Sequence, residues 1–276
     1  MNLADELELA IGVARGAARI VLEQFGRVER LVKTNPSAQQ EAVTEADRAA
    51  QRYIVEALRA RFGTDGFVGE ESDTGATHTF ECPDPMGRVW VIDPIDGTNN
   101  FIAGLENFAV CIGRLERGMP VLGVVLDVCR DQVYSAAAGQ GAWRDGSRIS
   151  APASALSDSS VIMMTANLID AQGRTPAFAL RWIGQTHWKI RVLGSAALEA
   201  VAVAAGVAHG AITVNGKLWD CAAPAAIVLE AGGRVTDFAG RGIFPFDLSR
   251  YGGTKVPFLA AGRGAQGQLL GEIRRT

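Results

Sequence analysis

The sequence is poor in the residues that build soft-metal and disulfide sites. It has three histidines, His78, His187 and His209, and none is spaced as a ligand pair, which argues against a histidine-based zinc site. Its four cysteines, Cys82, Cys111, Cys129 and Cys221, form no Cys-x-x-Cys pair, so they read as reduced thiols in a cytoplasmic protein. Lys and Arg are scattered and the formal net charge is −3, which offers no nucleic-acid surface. The longest apolar runs, such as PVLGVVLDV, are too short to span a bilayer. The start, MNLADELELA, is acidic and has no basic n-region, so no signal peptide is expected.

Apolar residues make up 48% of the 276 residues and charged ones 21%, an ordinary balance for one large core or two packed halves. Leu3, Leu7, Ala10, Ile11, Ala14, Ala18 and Val21 fall near helical spacing and predict an amphipathic helix over 3–25. VTEADRAAQRYIVEALRARFG predicts a second helix, with Thr44 as N-cap, Asp47 at the third position and Gly63 as its stop. The Gly-, Asp- and Thr-rich segment 64–87 reads as loop. Strands are expected at RVWVID, FAVCIGRLE, PVLGVVLDV and QVYSAAA, with turns at RGMP and CRDQ, which makes this part antiparallel. After RDGSRIS the pattern changes. SVIMM, KIRVL, GAITV, GRVTDF and PFLAAG read as strands alternating with helices near 176–184, 195–205, 220–231 and 265–275, an α/β layout. A boundary near residue 150 divides an N-terminal α+β subdomain, 1–150, from a C-terminal α/β subdomain, 151–276. No long linker marks it, so the two are expected to form one compact unit.

The stretch VWVIDPIDGTNNF carries the chemistry. Two acids, Asp93 and Asp96, stand three residues apart with Pro94 between them. Pro94 pushes Asp93 towards extended geometry, so both acids are expected on a loop at the carboxyl end of a buried strand. Three further acids sit where a site can form: Glu70 in VGEES, Asp220 in KLWDCAAP and Asp47. Each has a bland reading as well. Asp47 fits a capping box with Thr44, Asp220 fits an N-cap, and Glu70 with Glu71 fits a solvated pair. Asp93 and Asp96 are harder to explain that way, because adjacent acids repel unless a cation joins them. Oxygen donors without nearby Cys or His suit Mg²⁺. Gly97, Thr98 and Asn99 read as the start of a short helix, whose N–H groups favour an anion. A cation held by carboxylates beside such a helix start suits a phosphoryl group.

The segments GEES, WVIDPIDGTNNF and LWDCAAPAAIVLEAGG resemble the three signature segments of the inositol monophosphatase family, which belongs to the magnesium-dependent, lithium-sensitive phosphatases with the fructose-1,6-bisphosphatases. EAVTEAD and PVLGVVLDVCRDQVYSAAAGQGAW also resemble family segments, so the likeness spans nearly the whole chain. The resemblance implies a layered αβαβα sandwich, often a homodimer, that hydrolyses a small phosphate monoester with two to three Mg²⁺ ions. By the same resemblance Glu70, Asp93 and the Ile95 carbonyl hold the first ion. Asp93, Asp96 and Asp220 hold the second, with Asp93 bridging, and a third leans on Glu70 and water. Gly97 and Thr98 bind phosphate through backbone N–H groups, while Thr98, paired with Asp47, helps deprotonate the attacking water. Gly194, Ser195 and Ala196 face the alcohol portion of the substrate, as does the position of Thr213.

Two departures from the family pattern stand out. The family usually carries Gly where this chain has Pro224; if Asp220 is an N-cap, Pro224 removes the helix bond to its carbonyl. It also usually carries a glutamate seven residues before the motif aspartate, where this chain has Thr213. Loss of that charged acceptor predicts an enzyme that takes inositol monophosphates but discriminates weakly against histidinol phosphate, glycerol 2-phosphate and sugar phosphates. GRGAQG, 262–267, matches a dinucleotide fingerprint only superficially, since too few residues follow it to complete a βαβ unit. Cys221 and Trp219 read as packing residues and Lys33 as a solvated loop lysine, although family members often place a basic residue there near the metals. Two alternatives stay open: a histidinol-phosphatase or other sugar or polyol phosphatase of the same superfamily and, from another class, a regulator, since some bacterial family members bind the transcription machinery.

Overall fold

Asn2 starts the first helix, because its side chain accepts the Asp5 N–H at 2.9 Å. The computed structural model describes residues 2–25, 31–32, 42–43, 45–72, 78–170, 172–185 and 187–275. The first half runs α1 (Leu3–Gln24), β1 (Leu31–Val32), β2 (Ala42–Val43), α2 (Glu45–Arg59), β3 (Gly66–Gly69), β4 (Thr79–Glu81), β5 (Arg88–Asp96), α3 (Thr98–Ala103), β6 (Ala109–Glu116), β7 (Met119–Asp127), β8 (Gln132–Ala137), β9 (Gly141–Arg144) and β10 (Ser147–Ile149). The second runs β11 (Val161–Met164), α4 (Ala177–Gln185), β12 (Lys189–Arg191), α5 (Ala196–Ala204), β13 (Gly210–Thr213), α6 (Leu218–Glu230), β14 (Arg234–Thr236), β15 (Phe258–Ala261) and α7 (Arg263–Arg274).

An eight-stranded sheet has the order β10-β9-β8-β7-β6-β5-β3-β4 and is antiparallel except where β3 runs parallel to β5. A five-stranded sheet has the order β12-β11-β13-β15-β14. It is mixed: β11 is parallel to both its neighbours, and β15 is antiparallel to both of its own. The layers follow from which face each side chain covers. Ala10, Ala14, Ala17, Val21, Ile54 and Leu58 of α1 and α2 pack on Trp90, Ile92, Val110, Ile112, Val124 and Leu126. The opposite face, with Ala109, Cys111 and Val125, packs on α5 and α6, which in turn cover Ala211 and Ala260 of the second sheet. Phe178, Trp182, Ala265 and Leu269 of α4 and α7 close the far side over Ile162, Ile212 and Leu259. The result is an αβαβα sandwich, as expected.

The middle layer explains the alanine-rich sequence of α5 and α6. Those helices are covered on both sides, so small residues let the sheets come close. At Gly123 an added Cβ would stand 2.3 Å from the Ala223 carbonyl, so only glycine admits α6 at this depth. An ionic network pins α1 to the first sheet. Arg114 and Glu6 are both buried and paired, Arg88 also reaches Glu6 at 3.1 Å, and Asp65 accepts from Arg88 and from Trp90 Nε1.

Several local expectations are corrected. Segment 64–87 contains the strands β3 and β4, and a hairpin, β9–β10, follows β8. The strand carrying the paired acids runs on through Asp96 instead of ending in a loop at Asp93. α6 begins at Leu218, so Asp220 lies at its third position and Lys217, not Asp220, is the N-cap. The Asp220 carboxylate accepts the Lys217 N–H at 2.5 Å, which satisfies a donor at the helix start. Pro224 therefore sits inside α6. The N-cap assigned to Thr44 and the basic residue Lys33 lie outside the described residues.

Candidate active site

The bulge in β5 builds the site. Its pairing with β6 is regular up to Asp93 opposite Cys111 and resumes at Asp96 opposite Ala109. Three residues of β5 thus span two of β6, so one extra residue is accommodated. In a regular strand, residues three apart point to opposite faces. The extra residue restores the same face, and Pro94 fits there because it has no N–H to give a ladder. Asp220 approaches from the first turn of α6. Asp93, Asp96 and Asp220 each bring a carboxylate oxygen to within 4.8 Å of the others.

The neighbours are equally specific. Ile95 N–H donates to Asp93 Oδ1 at 3.1 Å, and the Ile95 carbonyl accepts the Thr98 hydroxyl at 3.0 Å. Glu70, at the end of β3, is tied to β5 by its N–H on the Ile92 carbonyl at 3.2 Å. Asp47, in the first turn of α2, is buried and adds to the negative field on Asp93. Both Asp96 oxygens are occupied from α5: Ser195 donates its hydroxyl to Oδ2, Ala196 N–H donates to Oδ1 at 3.1 Å, and Ala197 N–H donates to Oδ2 at 2.9 Å. Ser195 is fully buried in this role, while Gly194 and Ala196 line the adjoining cavity.

The electrostatics call for a cation. Burial, then Glu70, Asp96, Asp220 and Asp47, push the Asp93 carboxyl well above its ordinary range. Asp96 is also raised by burial, against the pull of the Ser195 hydroxyl and the α5 N–H groups. Asp220 is raised by burial and then by Asp96, with the Lys217 N–H opposing. Acids crowded in this way ionise together only if positive charge joins them. The donor set is all oxygen: three carboxylates, Glu70 beside them and the Ile95 carbonyl. Cys111 and Cys221 lie close, but burial raises both thiols, which leaves them protonated and poor ligands. The residues fit Mg²⁺.

A cavity of about 700 Å³ opens on this cluster, lined by Glu70, Asp96, Gly97, Thr98, Asn99 and Asp220 and continued by Thr165, Asn167, Thr213, Asn215 and Lys217. Gly97 holds φ +100°, and a Cβ there would stand 3.1 Å from the Asn107 carbonyl and 3.2 Å from that of Gly194; a side chain would be strained and crowded. Thr165 Oγ1 and Asn215 Oδ1 are buried with no hydrogen-bond partner among the described residues. Thr165 was missed by sequence reasoning. Its signal was its place just beyond the carboxyl end of β11, a strand with two parallel neighbours, where α/β sheets hold ligands.

A sequence model described as the inositol monophosphatase family matches residues 2–274. The chain is 38% identical over 237 residues to a Thermotoga maritima fructose-1,6-bisphosphatase/inositol-1-monophosphatase, covering 86% of each. It is 35% identical over 241 residues to a Chlorobaculum parvum histidinol-phosphatase, covering 87% of this chain and 88% of the relative. It is 34% identical over 244 residues to the Nus factor SuhB of Pseudomonas aeruginosa, covering 85% and 86%. Among solved structures, a Thermotoga maritima IMPase superposes with a TM-score of 0.82 at 33% identity, covering 98% of this chain and 96% of that one. Fold, motif residues and similarity agree, and the chain belongs to the inositol monophosphatase family.

Proposed function

We propose that the protein hydrolyses, with Mg²⁺, phosphate monoesters of small polyols whose alcohol portion is uncharged, inositol monophosphates among them. The observation that carries this reading is the meeting of Asp93, Asp96 and Asp220 within 4.8 Å on a cavity that also exposes Gly97 and Thr98. Asp93, Asp96, Asp220, Glu70 and the Ile95 carbonyl are the residues to hold the ions. Bound Mg²⁺ supplies Lewis acidity at the phosphoryl oxygens and the positive charge that lets a clustered acidic site accept an anion. The backbone at Gly97 and Thr98 orients the phosphate, which is most of what phosphoryl transfer asks of a protein. The Thr98 hydroxyl, anchored on the Ile95 carbonyl at 3.0 Å, sits beside the proposed metal ligands, and it is assigned, together with Asp47, to take the proton of the attacking water.

The remaining lining supports the substrate class. Thr165, Thr213 and Asn215 are neutral, and two of them present buried polar atoms without a partner among the described residues. Substrate hydroxyls satisfy such atoms. The acids on the cavity wall are Glu70, Asp96 and Asp220, all committed to metal, so an ammonium such as that of histidinol phosphate finds no counter-ion of its own among the described residues. Neutral hydrogen bonds contribute about 0.5–1.5 kcal/mol each, against about 1.5–3 for bonds to a charged group, so selection among polyols is weak. The test is kcat/KM at saturating Mg²⁺ for myo-inositol 1-phosphate, glycerol 2-phosphate, sugar phosphates and histidinol phosphate. A preference of more than about a hundredfold, or roughly 2.7 kcal/mol, for histidinol phosphate would overturn the substrate class. Similarity to the SuhB factors favours a second reading, a regulator that binds the transcription machinery. Absence of turnover on every ester of the panel would support that reading.

A further inference from the structure

The turn at Leu193–Gly194 is held by side chains. The Leu193 carbonyl accepts Asn100 Nδ2 at 2.7 Å and Asn107 Nδ2 at 3.1 Å. The N–H groups of Leu193 and Gly194 both donate to Glu199 Oε1, at 2.8 and 3.0 Å. Asn100 is also tied to the exit of α3, where its Nδ2 donates to the Asn107 carbonyl at 2.7 Å. Directly after this turn come the three donors that Asp96 receives, from Ser195, Ala196 and Ala197. A short run of backbone therefore joins Asn100 on α3, Glu199 on α5 and Asp96 on β5. Neither Asn100 nor Glu199 lines the cavity. Glu199 is 1% exposed, and its Oε2 has no hydrogen-bond partner among the described residues, so the residue acts through one oxygen, as an acceptor.

We infer that Asn100 and Glu199 are positioning residues: they clamp the Leu193–Gly194 turn from opposite sides and so fix the start of α5 against Asp96. The inference rests on the reading of Asp96 as a Mg²⁺ ligand. With three donors in place the carboxylate has one orientation towards the ion. With the turn released, the donors drift and the carboxylate turns with them. α3, which begins at the proposed phosphate-binding residues, loses its tie to that carboxylate in the same step.

The experiment compares Asn100→Ala, Glu199→Ala and Glu199→Gln with the wild type. It measures Mg²⁺ affinity by calorimetry, then kcat and KM for myo-inositol 1-phosphate, then Tm. Both alanine variants are expected to bind Mg²⁺ more weakly and to lose kcat on the order of tenfold to a hundredfold, since small misplacements at a reacting site cost that much, with smaller changes in KM. Glu199→Gln keeps the Oε1 acceptor and is expected to return both quantities close to the wild-type values. A purely structural role would lower Tm and leave Mg²⁺ affinity and kcat unchanged, and that result in the alanine variants overturns the inference. So does Glu199→Gln behaving like Glu199→Ala. If Glu199→Ala does not fold, Asn100→Ala, at a side chain that is only partly buried, decides alone. A wild type that neither binds Mg²⁺ nor releases phosphate overturns the functional reading itself, and is recognised before any variant is scored.

Discussion

Glu199 gives the sharpest prediction about stability. Its carboxyl is pushed from the usual 4.5 up to about 8 by burial first and by Asp96 last, against the Leu193 and Gly194 N–H groups. The folded protein then holds a proton that the unfolded chain releases above its ordinary value, so stability falls as pH rises from 4.5 towards 8. Glutamine keeps the neutral state and the Oε1 acceptor but has no proton to lose. Its own amide hydrogens enter a buried space, which sets a constant offset; the pH-dependent part is free of that offset. For one group with these two pKa values, the linkage relation gives a change of about 2.5 kcal/mol between pH 5 and pH 7. Urea unfolding of the wild type and of Glu199→Gln at pH 5, 6 and 7 measures it. The variant is expected to gain on the wild type by about that amount as pH rises. Parallel profiles would show that Glu199 ionises normally in the folded protein and that the burial argument is wrong.

The remaining predictions are simpler. Exhaustive chelation is expected to abolish turnover, and lithium to inhibit it; full activity after chelation would refute the all-oxygen metal site. Thr98→Ala is expected to lower kcat more than it raises KM, because the hydroxyl is assigned to the attacking water rather than to ground-state binding; an unchanged kcat with a raised KM would contradict that. Arg114→Met is expected to destabilise the fold by about 3 kcal/mol in chemical denaturation, since among the described residues it leaves buried Glu6 with Arg88 alone as ionic partner. A loss under about 1 kcal/mol, the usual worth of an exposed pair, would show the network is solvated.

The long periodic elements were legible in the sequence. α1 and α2 follow apolar positions at helical spacing, and the strands from β5 to β8 follow β-branched runs between turn residues. The short strands β3, β4, β9 and β10 of the first sheet were not, whereas β11 to β15 of the second each fall within an expected strand. β3 is Gly-Phe-Val-Gly and buried throughout, too short for a period and bounded by residues that read as loop. The β9–β10 hairpin did carry a signal in Asp145-Gly146, whose φ values of 48° and 75° suit a tight hairpin turn. The five acids were legible as candidates because they stand in recognisable segments. Their aim was not, because it depends on a bulge and on donors from α5 nearly a hundred residues along the chain from Asp96. Asn100 was invisible for the same reason: it is an unremarkable residue until the Leu193 carbonyl, far along the chain, reaches its side chain. Lys217 displaced Asp220 as the N-cap because the carboxylate reaches back from the third position, an alternative that composition alone does not separate.

Phosphate release from myo-inositol 1-phosphate against Mg²⁺ concentration, for the wild type and for Asp93→Asn, tests the central claim most directly. Asp93 stands at the centre of the cluster, where burial and all four neighbouring acids act on it, and it is proposed to serve both ions. The account predicts turnover that depends on Mg²⁺ in the wild type and falls by more than tenfold in a folded Asp93→Asn, a loss above about 1.4 kcal/mol. Turnover without Mg²⁺, or an Asp93→Asn variant that keeps more than a tenth of the wild-type kcat, would contradict it.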